Sequence, residues 1–299
     1  MKPTLLILAA GMASRYGSMK QIDGFGPNGE TIIDYSIYDA INAGFGKVVF
    51  IIKEEFVKEF KAIFEPKLEG RIETDYVFQN FDLKQFGIEE EIYREKPWGT
   101  AHAILSARNT IKEPFCVINA DDYYGFDAFK KMVDFLTTDV TDSNYSIIGY
   151  QIGKTLSEFG AVSRGVCKVD ASGNLTEIVE RTKVYPKDGA IFYEEDGEEF
   201  PLDYETPVSM NFWGFTPAVF PITEELFVKF AAENKDKPKA EFFIPLIGET
   251  LVKTGQATFK VVPTANKWFG VTYKEDKPFV QDSIDQLIKN GAYPEKLWN

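Results

Sequence analysis

Two cations and several small residues follow the first apolar run of the chain. The segment from Gly11 to Lys20 reads GMASRYGSMK and comes directly after the run from Thr4 to Ala9. Small residues let backbone N–H groups approach phosphate oxygens, and Arg15 and Lys20 add positive charge. The glycine spacing matches neither a Walker A loop nor a G-x-G-x-x-G fingerprint. The pattern therefore indicates another kind of phosphate loop, with an ordinary strand-to-helix turn as the alternative.

A second glycine with functional character lies in the segment KPWGTAHA, residues 96–103. Gly99 stands at the start of a predicted helix, where bare backbone allows a flat nucleobase to stack. The first turn of a helix also offers N–H donors. The segment therefore indicates a contact with a nucleoside.

Two adjacent acids end an apolar run in the segment VINADDYYG, residues 117–125. Asp121 and Asp122 would place carboxylate oxygens at the mouth of a pocket. Mg²⁺ prefers one or two protein carboxylates together with substrate phosphates, so these acids suffice as the protein share of a magnesium site. An acidic helix N-terminus, with Asp122 near the positive end of the helix dipole, is the alternative, and both descriptions can hold.

Strands and helices alternate in the first half of the chain. Short apolar runs from Thr4 to Ala9, Lys47 to Ile52 and Pro114 to Asn119 predict buried parallel strands. The segment from Thr31 to Ala43 has helical periodicity, and Gly44 stands where a helix C-cap belongs. Such alternation predicts βαβ units, and ligands of such sheets bind outside the carboxyl ends of the strands.

The second half has a different texture. Hairpin-like turns at residues 171–174 and at Asp196-Gly197 predict antiparallel strands, and a further strand is expected from Pro207 to Thr216 before the last helices. We expect an α/β, Rossmann-like fold with a mostly parallel central sheet flanked by helices and an added mixed β region. One domain over residues 1–299 is predicted, with a nucleotide-binding half (1–150) and an acceptor-binding half (151–299).

The composition excludes several classes of protein. The 299 residues include 33 Lys and Arg against 46 Asp and Glu, a formal net charge of −13 that disfavours nucleic-acid binding. An anionic nucleotide would need local cations and a metal. Cys116 and Cys167 are expected to be buried free thiols, and the single histidine, His102, a helical residue without chemical role. No apolar run reaches about 18 residues, so we expect a cytoplasmic protein that does not span a membrane.

The segment LAAGMASRYGSMKQ resembles the L-A-A-G-x-x-x-R-x(4)-K signature of the sugar-1-phosphate nucleotidyltransferase family. The resemblance implies that Arg15 contacts the pyrophosphate that leaves and that Lys20 reaches the reacting phosphates. It implies a triphosphate wrapped by the strand end and the loop, namely Leu8, Ala9, Ala10, Gly11 and Met12.

Two further motifs occur in the order of the same family. Residues 97–103 resemble its (Q/P)-x-G-T-A-x-A segment, which meets the base and ribose, so Pro97, Gly99 and Thr100 become nucleotide-binding candidates. Gln79 is the candidate for the glutamine that reads the base edge. In the acidic motif, the resemblance makes Asp121 the metal ligand and catalytic residue, with Asp122 as the second choice.

The acceptor side is similar to the family's Y-G-V…I-x-E-K-P stretch. The resemblance implies that the Gly160 backbone and Glu180 hold sugar hydroxyls, and that Asn211 makes a polar contact. The Lys-Pro pair is replaced by Arg181-Thr182, so either Arg181 or Lys183 must supply the cation for the acceptor phosphate. A late loop, residues 268–273, lacks the family's second carboxylate, and Asp276 is either its substitute or a helix cap.

These motifs imply an enzyme that condenses a nucleoside triphosphate with a sugar 1-phosphate to give an NDP-sugar and pyrophosphate, with Mg²⁺ as cofactor. A phosphate monoester is already ionised at pH 7, so no general base is needed. A cytidylyltransferase acting on an alcohol phosphate, a GT-A-like glycosyltransferase and a non-enzymatic nucleotide-binding domain are the alternatives. The sequence is also compatible with a homo-oligomer.

Overall fold

A computed structural model describes residues 1–10, 24–157, 159–271, 273 and 275–298. The predicted phosphate loop, with Gly11, Met12, Arg15 and Lys20, lies outside the described residues.

The helices and strands follow one another along the chain with short connections. The first half contains β1 (Thr4–Leu8), α1 (Ile32–Ala43), β2 (Lys47–Ile52), α2 (Val57–Leu68), β3 (Glu73–Phe78), α3 (Thr100–Leu105), β4 (Phe115–Asn119), β5 (Asp122–Tyr123), α4 (Phe126–Thr138) and β6 (Asn144–Gln151). The second half contains β7 (Val162–Val169), β8 (Leu175–Lys187), β9 (Ala190–Glu195), β10 (Glu198–Leu202), β11 (Pro207–Phe215), α5 (Val219–Glu233), α6 (Ile244–Lys253), β12 (Thr258–Pro263), β13 (Phe269–Gly270) and α7 (Asp276–Lys289).

Four parallel strands, in the order β4-β1-β2-β3, form the centre of the large sheet. The register pairs Leu8 with Ile51 on one side and with Asn119 on the other, and it pairs Ile52 with Phe78. The carboxyl ends of all four strands therefore meet at one edge, from which the loops carrying most of the predicted nucleotide site emerge.

Helices cover both faces of this sheet. On one face α1, α2 and α4 pack against alternate strand residues such as Leu5, Ile7 and Phe50, and on the other α3, α5 and α6 pack against residues such as Leu6 and Val117. Because both faces are buried, the central strands read as continuous apolar runs rather than as alternating ones. The predicted α/β fold with a flanked, mostly parallel core is confirmed.

Strand β11 connects the parallel core to the added β region. It runs antiparallel to β4, β6 and β7, while β12 is parallel to β6. Strands β7, β8, β9 and β10 continue the sheet outward through the two predicted hairpins. The register of β11 against β6 shifts between Ser209 and Trp213, which marks a bulge.

Two elements were missed in the sequence. Helix α4 buries one amphipathic stripe, and strand β6 is buried along most of its length. Both patterns are legible, but the acidic motif before α4 drew the reading toward a loop. Helix α3 was also predicted to reach Arg108, whereas regular helix ends at Leu105 and turns follow.

The C-terminal segment is fastened to helix α1. Thr31 caps α1 in a capping box with Asp34, and Gly44 ends it in the left-handed conformation. The fully buried Asp34 carboxylate accepts hydrogen bonds from Lys67 Nζ (2.8 Å) and from Trp298 Nε1 (2.8 Å). The end of the chain is therefore part of the packed structure.

A chain of buried hydroxyls links the same segment to the acidic loop. Tyr123 stacks on Phe269 with ring centroids 4.3 Å apart, which joins β5 to β13. The hydroxyls of Tyr123 and Tyr293 lie 2.8 Å apart, and Tyr293 donates to Asp39 Oδ2 at 2.7 Å. The residue after Asp122 is thus held by both α1 and the C-terminal segment.

Helix α3 begins at a glycine that the neighbouring chain requires. Gly99 has φ 103° and ψ 178°, and a Cβ there would lie 2.5 Å from the carbonyl oxygen of Phe242. Phe242 N donates to Trp98 O, and Ala101 N donates to Phe242 O at 2.9 Å. On this side the backbone is covered by the loop before α6, so it is not open to a base as expected, and one helical N–H donor is already used.

Two expectations about individual residues hold. Cys116 and Cys167 are buried and form no disulfide, and His102 is packed inside the protein with 1% of its surface exposed. Among the residues that the structure describes, every helix is too short or too polar to cross a membrane.

Asp39 should make stability depend on pH. Burial raises the pKa of its carboxyl from 3.8 to about 7, so the folded protein keeps this proton after the unfolded chain has lost it. Stability should therefore fall as pH rises from about 4 to about 7. Asp39→Asn removes this loss, and the free energy of unfolding relative to wild type should rise by about 2 kcal/mol between pH 5 and 7.5. Urea unfolding at each pH measures it, with the exposed Asp203→Asn as control, and parallel profiles for the wild type and Asp39→Asn would contradict the assignment.

Gly99→Ala should be more destabilising than an ordinary glycine replacement. It adds a steric conflict with Phe242 to an unfavourable backbone conformation, and we expect a loss of about 2–5 kcal/mol. Gly87, which has φ 73° and no atom within 4 Å of an added Cβ, provides the matched control, for which Gly87→Ala should cost about 1–2 kcal/mol. Denaturant unfolding measures both, and equal losses would show that the contact with Phe242 is unimportant.

Candidate functional site

The end of β1 lies between the ends of two neighbouring strands. Ala9 N donates to Ile51 O at 2.8 Å, and Ala120 N donates to Leu8 O at 3.3 Å. Leu8 is half-buried, while Ala9 and Ala10 are buried. These contacts place the exit of β1, from which the predicted phosphate loop departs, beside the acidic loop that follows β4.

Asp122 is turned into the protein and its carboxylate is held on both sides. Its Oδ2 accepts from Asn119 Nδ2 at 2.8 Å and lies 3.2 Å from the Tyr124 hydroxyl. A Cβ on Gly270 would collide with its Oδ1. Burial first, and then the negative charge of Asp121, raise the pKa of Asp122 above its ordinary value. Asp121 is half-buried, and its backbone oxygen accepts from Val271 N.

Asn211 connects the acceptor half to this acidic loop. It sits in the bulge of β11 with φ 60°, a left-handed conformation that asparagine tolerates better than most residues. Its Nδ2 lies 3.5 Å from Asn119 Oδ1, and Asn119 in turn holds Asp122. The structure therefore brings together residues that are 92 positions apart in the chain.

The residues of the acidic loop fit a magnesium ion by donor type. Their carboxylates supply hard oxygen atoms, and the mutual repulsion that raises the pKa of Asp122 is relieved by a cation. Within the described part of the chain, His, Cys, Asp and Glu side chains form no group of three or more that could hold a metal. A magnesium ion here would therefore take further ligands from a bound phosphate.

The predicted base-reading residue lies at the end of β3. Gln79 N donates to Ile52 O at 3.3 Å, and Gln79 Nε2 lies 3.2 Å from His102 Nδ1 on α3. A cavity of about 580 Å³ is lined by Gln79 and its neighbours, including the exposed rings of Phe78 and Phe81. These aromatic faces were not singled out in the sequence, where the clustering of Phe78 and Phe81 around Gln79 was the available signal.

The other residues of the base segment are placed differently. Pro97 is exposed, and Gly99 and Thr100 are half-buried. The Thr100 hydroxyl accepts from Ile244 N at 3.2 Å, so it helps to hold the start of α6.

Glu180 is the most buried of the predicted acceptor residues that carry charge. It pairs with Gly165 across β7 and β8, and burial raises the pKa of its carboxyl to about 7, an effect that Arg164 partly offsets. Gly160 lies against Tyr273, whose hydroxyl donates to Ala161 O at 2.6 Å.

The two cations proposed for the acceptor phosphate both pair with strand β9. Lys183 Nζ lies 2.6 Å from Glu194, and Arg181 forms an ion pair with Glu195 and covers the ring of Tyr193. The structure therefore commits both side chains to the outer hairpin.

Arg164 is a buried cation that sequence reasoning missed. Its Nε donates to Thr155 Oγ1 at 3.0 Å, and its guanidinium lies 4.7 Å from the centre of the Trp268 ring. Burial lowers its pKa to about 10, which nearby carboxylates partly offset. These carboxylates belong to Asp122, Glu180 and Asp276. The residue stands only four positions after Gly160, but nothing in its local pattern indicates burial.

Asp276 has a structural role at the start of α7. Its carboxylate accepts from Tyr273 N at 2.7 Å and from Ser157 Oγ at 3.2 Å. The backbone contact is the helix-capping role considered for this residue in the sequence.

A larger cavity lies at the other end of the sheet. It measures about 770 Å³ and is lined by Arg108, Lys112, Phe220 and Glu224, among others, near the start of β4. Arg108 pairs with Glu224 at 3.5 Å. The predicted site residues are at the opposite edge, where ligands of open α/β sheets bind.

Solved structures share this fold at low sequence identity. The chain aligns with the inositol-1-phosphate CTP transferase from T. maritima at a TM-score of 0.65 and 13% identity, covering 96% of this chain and 97% of that one. A putative glucose-1-phosphate thymidylyltransferase from Bacillus anthracis gives 0.64 and 14%, covering 94% of each chain. A UDP-glucose pyrophosphorylase complexed with UDP-glucose gives 0.63 and 17%, covering 96% of this chain and 99% of that one.

No curated protein matches the chain by sequence. The model of the family described as nucleotidyl transferase matches residues 6–276. That span includes every strand of the sheet and all of the motifs described above. The chain therefore belongs to the nucleotidyl transferase family and is an enzyme of the nucleotidyltransferase class.

Proposed function

We propose that this nucleotidyltransferase joins a nucleoside triphosphate to a sugar 1-phosphate or a related polyol phosphate and releases pyrophosphate. One observation carries the proposal. Asn211, from the acceptor half, reaches Asn119 at the end of β4, and Asn119 holds Asp122. An acceptor bound beside Asn211 would therefore lie next to the acidic loop, where the nucleotide phosphates are expected.

The structural relatives support this substrate class. Their names give inositol 1-phosphate with CTP, glucose 1-phosphate with a thymidylyl group, and UDP-glucose. All of these substrates and products contain a phosphorylated ring rich in hydroxyls. A buried carboxyl such as Glu180 suits that chemistry, because an ionised carboxylate accepts hydrogen bonds from neighbouring hydroxyls.

Catalysis in the proposed reaction rests on positioning and charge. The acceptor phosphate attacks the α-phosphorus in line, and because it is already anionic it needs no base. Arg15 and Lys20 would bind the phosphates of the nucleotide, and Asp121 would hold Mg²⁺ beside them. A bound Mg²⁺ would neutralise charge on the phosphates. Asp122, fixed by Asn119, would shape the loop rather than move a proton.

Two other reactions remain in competition. A cytidylyltransferase acting on an alcohol phosphate uses the same chemistry, and the likeness to an inositol-1-phosphate CTP transferase favours it as the second candidate. A GT-A-like glycosyltransferase would transfer a sugar and release no pyrophosphate.

Pyrophosphate release tests the proposal. The five common nucleoside triphosphates are incubated with Mg²⁺ and a panel of sugar 1-phosphates and polyol phosphates, and products are identified by mass spectrometry. We expect pyrophosphate in at least one combination, with a matching nucleoside diphosphate adduct. Turnover of a nucleotide sugar without pyrophosphate would support the glycosyltransferase instead.

Asp121→Asn should weaken the response to magnesium. The substitution keeps the size of the side chain but removes the charge proposed to bind the ion. We expect the Mg²⁺ concentration for half-maximal rate to rise at least tenfold, since a ligand charge is lost. Asp127→Asn, on helix α4, is the matched control and should titrate like the wild type. An unchanged titration for Asp121→Asn would mean that another residue holds the metal.

Glu180 should make acceptor binding depend on pH near neutrality. Its pKa of about 7 means that the carboxyl is protonated below this pH and ionised above it. The KM for the acceptor should therefore fall as pH rises through about 7, beyond the change caused by the second ionisation of the phosphate itself near pH 6. Glu180→Gln should remove the component near pH 7 and keep the other. Identical profiles in the two proteins would exclude Glu180 from the acceptor site.

A further inference from the structure

The single histidine of the chain contacts the residue predicted to read the base. Gln79 Nε2 and His102 Nδ1 are 3.2 Å apart. The two side chains come from different elements, since Gln79 follows β3 and His102 lies on α3. This contact was absent from the sequence analysis, in which His102 carried no role.

The chemistry of the contact fixes the direction of the hydrogen bond. An amide nitrogen can donate but cannot accept, so His102 Nδ1 must accept and carry no proton. The imidazole is then the neutral tautomer with its proton on Nε2. Burial lowers the pKa of His102 to about 4, with Arg108 and Arg94 adding to the effect, so the ring stays neutral in the physiological range.

The ring of His102 is held in place by aromatic neighbours. Phe227 lies 4.6 Å away between ring centroids, Phe86 packs edge-on at 5.8 Å, and Phe81 lies nearly parallel at 6.0 Å. With only 1% of its surface exposed, the imidazole presents Nδ1 to Gln79 in one fixed direction. A side-chain amide can rotate by half a turn at little cost, and this contact prevents that rotation.

We propose that His102 is a positioning residue that sets the orientation of the Gln79 amide and thereby the choice of nucleobase. The proposal rests on the proposed nucleotidyl transfer. Because one N–H of Gln79 is bonded to His102, the Gln79 Oε1 and its second N–H are the groups that can face a base in the cavity next to Phe78 and Phe81. The rings of Phe78 and Phe81 offer faces on which such a base can stack.

Replacing the imidazole should change nucleotide use and leave acceptor use intact. In His102→Phe the ring packing is retained and the hydrogen bond is lost. We expect the KM for the preferred nucleotide to rise about three- to tenfold, the range of one neutral hydrogen bond. The preference among the five triphosphates should narrow, and kcat and the KM for the acceptor should stay within about twofold. Phe227→Leu, which disturbs the same ring cluster without touching the bond, is the control and should keep the base preference.

A double-mutant cycle separates positioning from simple packing. In Gln79→Ala the amide is absent, so a histidine that acts only through it has nothing left to orient. We expect His102→Phe to cause no further rise in the nucleotide KM in the Gln79→Ala background. A second rise of the same size would overturn the proposal.

Nuclear magnetic resonance tests the bond without any substitution. His102 is the only histidine in the sequence, so the untagged protein labelled with ¹⁵N-histidine gives the signals of one ring. We expect an unprotonated Nδ1, a protonated Nε2, and no titration between pH 5.5 and 8. An imidazolium or a protonated Nδ1 would overturn the proposal even if the variants failed to fold.

The wild-type assay keeps the two levels of inference apart. If the wild type releases no pyrophosphate with any substrate pair, the proposed function fails. If the wild type turns over but His102→Phe keeps the base preference and the nucleotide KM of the wild type, the role of His102 alone fails.

Discussion

The level ends of four parallel strands are the constraint on which the rest of the site depends. Hydrogen-bond register sets Leu8, Ile51 and Asn119 side by side, and a strand so placed can move only by breaking its ladder on both sides. The loops that leave these strands therefore start from fixed points a few ångströms apart. Contacts between loops, such as that between Gln79 and His102, can then be short even though their residues are distant in sequence.

Charge is arranged within this frame against the overall balance of the molecule. The protein carries a net charge of −13, yet the acceptor side contains a buried guanidinium that interacts with acids from three separate segments. Arg164 is held by Thr155 and Trp268 rather than by a close carboxylate, so its charge acts over several residues at once. In a poorly solvated interior such a charge has a long reach, and it lowers the cost of burying Asp122 and Glu180 near one another.

Local signals in the sequence predicted most of the framework and part of the site. Helix α1 follows from its cap and its closing Gly44, and the parallel core follows from continuous apolar runs. The adjacency of Asp121 and Asp122 to the end of β1 could be expected from strand order alone. The role of Arg164 could not be expected, because it depends on burial by residues about a hundred positions away. The reason for Gly99 was also misjudged, since the chain that requires it, at Phe242, lies outside the motif.

The bulge in β11 has a consequence for how this protein can vary. Between Ser209 and Trp213, four residue steps on β11 match two on β6, so the bulge adds an even number of residues. Side chains on a strand alternate between the two faces, and an even insertion keeps Trp213 and Phe215 on the face they would otherwise occupy. An odd change in length would turn both rings toward the opposite layer of helices. Related chains should therefore gain or lose residues at this position in pairs, while the outer hairpin of β9 and β10, which buries little, can change length by any number.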